Sequence, residues 1–143
     1  MSTRSSTNYW LVFAALFGFL GVAMGAFAAH GLRDSLLADN PLDGQRLLTT
    51  FKTGAQYAQI HALALFGVAL LSRTTDSKWL TYCGWSFVFG TTIFSTTLWA
   101  LVLTGHKWLG AITPIGGLSL LLGWFLLGMT GYKHLGIEPP KQP

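Results

Sequence analysis

The feature that most constrains this chain is the absence of charge from four long stretches. No Asp, Glu, Lys or Arg occurs within residues 5–32, 53–72, 79–106 or 108–132. Each stretch is long enough to provide the roughly 20 residues with which an α-helix crosses about 30 Å of hydrocarbon. Over the whole chain 10% of residues are charged and 51% are hydrophobic, whereas soluble domains carry about 25% charged residues. The pattern predicts four membrane-spanning helices.

We place the spans at residues 10–29, 53–72, 80–103 and 109–129, within a single membrane domain that comprises residues 1–143. The apolar runs are continuous and do not alternate, which excludes the strands of a transmembrane barrel. In hydrocarbon every backbone N–H and C=O has to be satisfied within its own segment, as it is in a helix. The predicted fold class is therefore all-α, an integral membrane four-helix bundle.

The connection between the first two spans carries a helix-start signal. Asn40 is a favourable N-cap, Pro41 suits the first helical position, and Asp43 falls within the first turn. Apolar residues then recur at helical spacing beside basic ones. We expect a short interfacial helix here, which turns into the membrane near Gly54. The proline-rich segment 136–143 is expected to be a flexible, unstructured tail.

The first span has a second interpretation as a secretory signal peptide, because Arg4 precedes it and residues 26–28 read Ala-Phe-Ala. Its apolar run is longer than the ~7–15 residues of a signal core, and Tyr9 and Trp10 flank it as an interfacial belt would, so we prefer a retained span. Lys and Arg are in slight excess at the N terminus, the second loop and the C terminus. Both termini are accordingly expected in the cytoplasm.

The charged residues and the single cysteine also exclude several function classes. The basic residues behind the net charge of +4 are scattered over loops and tails without a patch or a recognition motif, so no nucleic-acid partner is predicted. No Asp or Glu lies within a predicted span, which leaves a carboxylate-driven pump or a two-carboxylate hydrolase without its reactive groups. Cys83 cannot form a disulfide within the chain and is expected to pack in the bundle.

A polar segment interrupts the second span, where residues 56–66 read QYAQIHALALF. Tyr57 and His61 share a helix face, and two glutamines lie beside it. Polar side chains at this depth normally point into a bundle or a water-filled path. We expect them to meet the Ser-Thr-Thr step of the third span. The candidate polar cluster consists of Gln56, Tyr57, Gln59, His61, Ser95, Thr96 and Thr97.

Two interpretations of this cluster remain open. The one we prefer is structural, with interhelical hydrogen bonds that hold the second span to the third. The other is a small polar pocket for a solute, a proton or a quinone head group, in which His61 is the titrating member. His30 at the end of the first span is a weaker candidate. In an antiparallel hairpin His61 lies about 12 Å deeper than the end of the first helix, so we predict no shared haem or metal ligation and no cofactor.

Small residues on three of the spans indicate where helices approach closely. We assign these faces to contacts within the bundle rather than to a dimer. They are Gly21, Gly25 and Ala29 on the first span, Gly84, Thr91 and Ser95 on the third, and Gly116, Ser119 and Gly123 on the fourth. Thr113 and Pro114 are expected to open the fourth helix, as a plain helix start rather than an anion site.

Four stretches together resemble a known family. They are residues 25–32 (GAFAAHGL), 51–65 (FKTGAQYAQIHALAL), 93–105 (IFSTTLWALVLTG) and 109–124 (LGAITPIGGLSLLLGW). They are similar to the small membrane-protein family designated domain of unknown function 423, over about residues 16–127. The resemblance implies a four-helix protein of the bacterial inner membrane, and it supplies no catalytic residues. Ala28 stands where that family usually has glycine, and Thr96 with Thr97 stand where a Gly-Ser pair is usual.

We therefore interpret the chain as a small multi-pass membrane protein that is a structural or accessory component of the membrane and has no enzymatic activity. Two alternatives remain. One is a small-solute or proton-conducting membrane protein, and the other is a quinone- or haem-associated subunit. The expected partners are membrane lipid and, as further options, other membrane proteins or a second copy of the chain.

Overall fold

The structure is a computed structural model that describes residues 9–134, which are almost entirely helical. The predicted tail at residues 136–143 lies outside the described part of the chain. Within residues 9–134 no strand occurs, so the all-α prediction is confirmed. The elements are α1 (Tyr9–Phe27), a π-helical turn (Ala28–Leu32), α2 (Arg33–Asp39), α3 (Pro41–Leu71), α4 (Lys78–Thr104) and α5 (Leu109–His134).

Four helical segments of the described chain are long and apolar enough to span a membrane, as the sequence predicts. They are Tyr9–Ala38, Pro41–Leu71, Lys78–Thr104 and Leu109–Lys133. Most of these helices extend beyond the predicted spans, because a helix does not end where its apolar run ends. With 31 residues, α3 is about 46 Å long and exceeds the hydrocarbon thickness by roughly half.

The start of α3 is where the N-cap signal predicts it. The side-chain oxygen of Asn40 accepts hydrogen bonds from the backbone N–H groups of Leu42 and Asp43, at 3.2 and 3.3 Å. Pro41 occupies the beginning of the helix, where its missing N–H would have no intrahelical partner. These local interactions satisfy the exposed amides of the first turn and separate α3 from α2.

The separate interfacial helix is not confirmed, since α3 continues without interruption through Gly54. This glycine is buried, and a Cβ at its position would lie 2.7 Å from the indole nitrogen of Trp99 on α4. The absence of a side chain at Gly54 therefore allows α4 to pack closely against α3, and the glycine does not mark a turn. Residues 41–52 are the first turns of the spanning helix itself.

The first span also continues past its predicted end near Ala29. The π-helical turn at Ala28–Leu32 leads directly into α2, and α2 packs back against α3. A Cβ on Gly44 would collide with the backbone carbonyl oxygen of Leu36. The α2–α3 hairpin therefore depends on the absence of a side chain at this position.

In the bundle, α3 and α4 pack against each other, α1 packs against α3, and α5 packs against α4. The start of α1 and the end of α5 lie at one end, where Trp10 meets Gly84 of α4 and the Lys133 ammonium lies 4.5 Å from the ring centre of Trp79. We call this the terminal end, and the opposite end, with α2 and the α4–α5 turn, the hairpin end.

Buried apolar side chains of the described chain form two clusters. One lies towards the terminal end and includes Trp10, Phe17, Leu65, Cys83 and Phe87. The other lies at the hairpin end and includes Leu48, Phe51, Trp99 and Val102. Large apolar side chains such as Val12, Phe19, Leu118 and Phe125 point outward. In a helix that crosses a membrane this exposed apolar surface faces lipid.

The small residues of α5 lie on its contact face with α4. A Cβ on Gly116 or Gly123 would collide with α4, and the Ser119 hydroxyl donates a 2.9 Å hydrogen bond to the carbonyl of Ser86. On α1 the small-residue face that packs closely on α3 is shorter than predicted. Gly21 is buried against α3, but a Cβ on Gly25 would meet nothing within 4 Å.

Candidate functional site

His61 is buried in the bundle, with 3% of its surface exposed. Its Nδ1 lies 2.9 Å from the carbonyl oxygen of Tyr57, one turn earlier in α3. On the other side, the indole N–H of Trp124 on α5 donates to Nε2 at 3.2 Å. Because an indole nitrogen can only donate, Nε2 is the acceptor and the proton resides on Nδ1, which donates to the Tyr57 carbonyl. The imidazole is thus neutral, and both of its nitrogens have a partner.

The predicted contact between His61 and residues 95–97 is not made. From α4 the ring meets Phe87, with centroids 5.5 Å apart, and its hydrogen-bond partner comes from α5. Trp124 carries an indole N–H donor within the fourth span, and this donor is the one signal that the sequence carries for the contact. Helical periodicity relates residues of the same helix, so it did not indicate a partner 63 positions away.

The three candidate residues on α4 have different surroundings. Ser95 is buried, and its hydroxyl has no hydrogen-bond partner in the described chain. Thr96 is exposed and donates to the carbonyl of Thr92 within its own helix. Thr97 pairs with the hydroxyl of Thr113 on α5 at 2.9 Å. Residues 95–97 thus contribute one side-chain hydrogen bond between helices, and it joins α4 to α5 rather than to α3.

The polar residues of α3 separate onto two sides of the helix. Gln59 is exposed, and its side chain covers Gly21 of α1, where a Cβ would come within 2.6 Å of it. Gln56 and Tyr57 face the opposite side, towards α5. The Tyr57 ring stacks on Phe94 of α4, with centroids 4.3 Å apart. The neighbourhood of His61 therefore contains Gln56 and Tyr57 but not Gln59.

His30 is exposed in the π-helical turn at the hairpin end. It lies about 13 Å along the helix axis from Gly21, which contacts α3 near Gln59. His30 and His61 are therefore not brought together. Residues 9–134 contain no group of three or more His, Cys, Asp or Glu side chains that could hold a metal ion.

A cavity of about 800 Å³ opens between α3 and α5, on the hairpin side of His61. Its polar lining consists of Gln56, Tyr57, His61 and Trp124, and its apolar lining consists of Ile60, Phe94, Pro114, Gly117, Leu118, Leu120 and Leu121. Ile60, Leu118 and Leu121 are also exposed on the outside of the bundle. The cavity therefore opens sideways, towards the bilayer that surrounds the spans.

The cavity follows from the close packing of α5 on α4. A Cβ on Gly116 would come within 2.6 Å of the backbone nitrogen of Phe94, so the two helices meet backbone to backbone and leave a gap towards α3. α5 begins at Leu109 and Pro114 lies inside it, so the prediction that Thr113 and Pro114 open this helix is wrong. Proline cannot donate the hydrogen bond expected at that position, which weakens the helix beside the cavity.

A second depression, of about 390 Å³, lies between α4 and α5 on the opposite side of their contact. Aromatic and leucine side chains provide most of its lining, and two serines complete it. Those serines, Ser86 and Ser119, are already joined by a hydrogen bond. The larger cavity beside His61 is therefore the better candidate for a functional site.

Comparison with known proteins identifies the family. The family described as "Protein of unknown function (DUF423)" matches residues 24–117. The chain belongs to the DUF423 family. The matched region contains α3, α4 and the beginning of α5, and with them the cavity residues up to Gly117, whereas Trp124 lies beyond it. The resemblance seen in the sequence is confirmed.

Relatives of this DUF423 chain carry membrane-protein names. The UPF0382 membrane protein of Staphylococcus epidermidis (strain ATCC 12228) is 35% identical over 127 residues, which cover 89% of this chain and 98% of the relative. The UPF0382 inner membrane protein YgdD of Escherichia coli K12 is 33% identical over 135 residues, which cover 93% and 98%. No solved structure matches the chain. The protein is a multi-pass protein of the bacterial inner membrane.

Proposed function

We propose that this DUF423 protein is a non-enzymatic accessory protein of the membrane, which binds a lipid-soluble amphiphile in the cavity between α3 and α5. The observation that carries the proposal is the distribution of polar groups in that cavity. Gln56 and Tyr57 lie at its hairpin end, and their side chains make no hydrogen bond within residues 9–134. They are available to a ligand, and the exposed rim gives it a path from the bilayer.

The inner end of the cavity has the opposite character. His61 and Trp124 satisfy each other's hydrogen-bonding groups, so they present ring surfaces to the space beside them. The remaining lining is apolar, with leucines on one wall and Phe94 on the other. A molecule with a polar head and a hydrocarbon body matches this arrangement, with its head at the hairpin end and its body directed towards the middle of the membrane.

The alternatives find less support in the same geometry. Proton conduction needs a titratable relay across the membrane. The part of α3 from Thr53 to Leu71 contains no Asp or Glu, and neither does α5. Haem ligation by two histidines needs both at one depth, and His30 and His61 are apart. Enzymatic activity needs a nucleophile beside an activating base, and the two ring nitrogens of His61 are occupied by Tyr57 and Trp124.

Native mass spectrometry of the full-length protein, purified in a mild detergent, tests the proposal. Gly117→Leu should abolish co-purification of the amphiphile, because a Cβ at Gly117 lies 3.9 Å from the Phe94 ring and a leucine would extend into the cavity. Gly128→Leu is the matched control on the same helix, since its Cβ would meet nothing within 4 Å. Wild type without a bound amphiphile, or equal occupancy in both variants, would contradict the proposal.

A further inference from the structure

The depression between α4 and α5, which we call the outer groove, has two lysines above it at the terminal end of the bundle. We infer that the outer groove binds a phospholipid with an anionic head group. Lys133 and Lys78 hold the phosphate, and one acyl chain lies in the groove. The outer groove is on the opposite side of the α4–α5 contact from the cavity beside His61, so this inference does not depend on the proposed function.

Lys133 lies directly above the outer groove. Its ammonium is 4.5 Å from the centre of the Trp79 ring on α4, and Trp79 precedes the lining residue Tyr82 by about 4.5 Å along the helix axis. On α5, Lys133 and the lining residue Leu126 are two turns apart, and their side chains point within about 20° of each other around the helix. The ammonium is therefore on the side of the bundle where the groove opens, about one turn above its outermost residue.

Lys78 is on the same face of α4 as the groove. Around the helix it lies about 20° from the lining residues Trp85 and Phe89 and is exposed. Tyr82 is one turn further along α4, and its hydroxyl makes no hydrogen bond within residues 9–134. Because helical side chains lean towards the helix N terminus, this hydroxyl is directed towards Lys78. Two ammonium groups and a phenol are therefore available as donors at this end.

The charge above the groove is positive and favours an anion. α4 and α5 contain no Asp or Glu. Asp76 is close to Lys78 in the chain, but neither lysine forms an ion pair within residues 9–134. The oxygens of a phosphodiester accept hydrogen bonds from all three donors and carry the opposite charge, as in other basic pockets between membrane helices. A zwitterionic head group brings its own cation, which the two lysines repel.

The walls of the groove suit hydrocarbon. The rings of Trp85 and Phe89 stack along the α4 wall, with centroids 5.5 Å apart. Trp85 also contacts Trp10 of α1 edge to face, which holds this wall in place. On the α5 wall Leu122 is half exposed, and the Ser119 hydroxyl is already bonded to α4. The groove therefore presents ring faces and methyl groups to a ligand.

The length of the site matches one leaflet of a bilayer. Ser119 is the innermost lining residue on α5, and it lies about 21 Å along the helix axis from Lys133. Half of the hydrocarbon thickness is about 15 Å, and the head group lies outside it. Trp79 and Tyr132 are exposed near Lys133, as aromatic residues at a membrane boundary are. A lipid with its phosphate at this boundary has an acyl chain at the depth of the groove.

The test uses the full-length protein in phosphatidylcholine vesicles that contain a small fraction of phosphatidylglycerol brominated on its acyl chains. The same fraction of brominated phosphatidylcholine is the zwitterionic comparison. Bromine quenches a tryptophan that it contacts, and Trp85 lines the groove. The anionic lipid should quench more strongly than the zwitterionic one. This excess should fall in Trp85→Phe and persist in Trp124→Phe, whereas equal quenching by the two lipids would overturn the inference.

Variants of the lysines identify the groups that bind the phosphate. Lys133→Gln and Lys78→Gln should each reduce the preference for the anionic lipid roughly five-fold, and Lys133→Arg should retain it. Water-soluble glycerol phosphate should not displace the brominated lipid, because it has no acyl chain for the groove. Displacement would show that the head group alone is recognised, and it would overturn the role of the groove.

Arg73→Gln is the matched control, since it removes the same charge from the same end of the bundle. Arg73 follows α3 in the chain, and α3 packs on the far side of α4 from the groove. Phe87 of α4, which contacts His61 of α3, lies about 160° around the helix from the lining residue Phe89. The preference for the anionic lipid should therefore be unchanged in Arg73→Gln. A loss equal to that of Lys133→Gln would indicate attraction to the general surface charge and would overturn the site.

Discussion

The indole nitrogen of Trp124 on α5 lies 3.2 Å from Nε2 of His61 on α3. This hydrogen bond joins α5, which packs mainly on α4, to α3, which packs on both α1 and α4. It also selects the tautomer of His61 that carries its proton on Nδ1. The histidine of the polar segment is therefore explained by an interhelical contact, and the pair forms the inner boundary of the candidate site.

The first prediction concerns the energy of this contact. A double-mutant cycle with Trp124→Phe and His61→Leu should give a coupling free energy of about 0.6–1.7 kcal/mol, the range for hydrogen bonds between membrane helices. The measurement is reversible unfolding of the purified protein in mixed micelles. Phe125→Leu is the control and should have little effect, because Phe125 is 63% exposed. A coupling energy of zero would show that the two groups do not interact in the folded protein.

The second prediction uses two adjacent glycines of α5. Gly116→Ala should destabilise the bundle by about 1–3 kcal/mol, because the new Cβ would lie 2.6 Å from the backbone nitrogen of Phe94, and backbone atoms cannot move aside alone. Gly117→Ala should be neutral or slightly stabilising, since its Cβ meets the Phe94 ring at 3.9 Å. Thermal unfolding followed by circular dichroism distinguishes them. Equal effects of the two substitutions would contradict the α4–α5 packing.

The third prediction concerns an unpaired buried hydroxyl. Thr91 is fully buried, and its hydroxyl has no hydrogen-bond partner in the described chain. Thr91→Val removes that group and keeps the shape, so stability should stay unchanged or increase by up to about 1 kcal/mol. Thr113→Val should instead lower stability by roughly 0.6 kcal/mol, because it removes the bond to Thr97. Marked destabilisation by Thr91→Val would indicate that a bound water satisfies this hydroxyl.

The fourth prediction concerns the α2–α3 hairpin. Gly44→Ala should detach α2 from α3, because the added methyl group would overlap the carbonyl oxygen of Leu36. Gly67→Ala on the same helix is the control, since nothing lies within 4 Å of its Cβ position. Hydrogen–deuterium exchange should increase in residues 33–39 of the first variant and remain slow in all four spans of both. Unchanged protection of residues 33–39 would show that α2 does not depend on this close approach.

The fifth prediction concerns topology. α1 begins and α5 ends at the terminal end of the bundle, so reporter fusions at Ser2 and after Pro143 should report the same compartment. We expect that compartment to be the cytoplasm, because Lys and Arg are in slight excess on this side. Reporters on opposite sides would mean that one of the four spans is cleaved or does not cross the membrane. Two periplasmic reporters would reverse the orientation and keep the fold.

The four spans, the all-α class and the start of α3 at Asn40 could be predicted from the sequence because each depends on local physical chemistry. A long uncharged run has to form a helix in hydrocarbon, and an N-cap satisfies amides within its own turn. The predicted ends of the spans were less accurate, because helical hydrogen bonds continue beyond the apolar run into polar residues. Gly54 was interpreted as a turn because the sequence does not show that Trp99 packs on it.

The contacts between helices were decided by the tertiary structure. Periodicity shows which residues share a face of one helix, but it does not show which neighbour that face meets or at what level. His61 was therefore expected beside residues 95–97 and has its partner at Trp124. The cavity has the same origin, because its walls belong to α3, α4 and α5, and its volume depends on how closely Gly116 lets α5 approach α4. Such distances are set by packing between segments far apart in sequence.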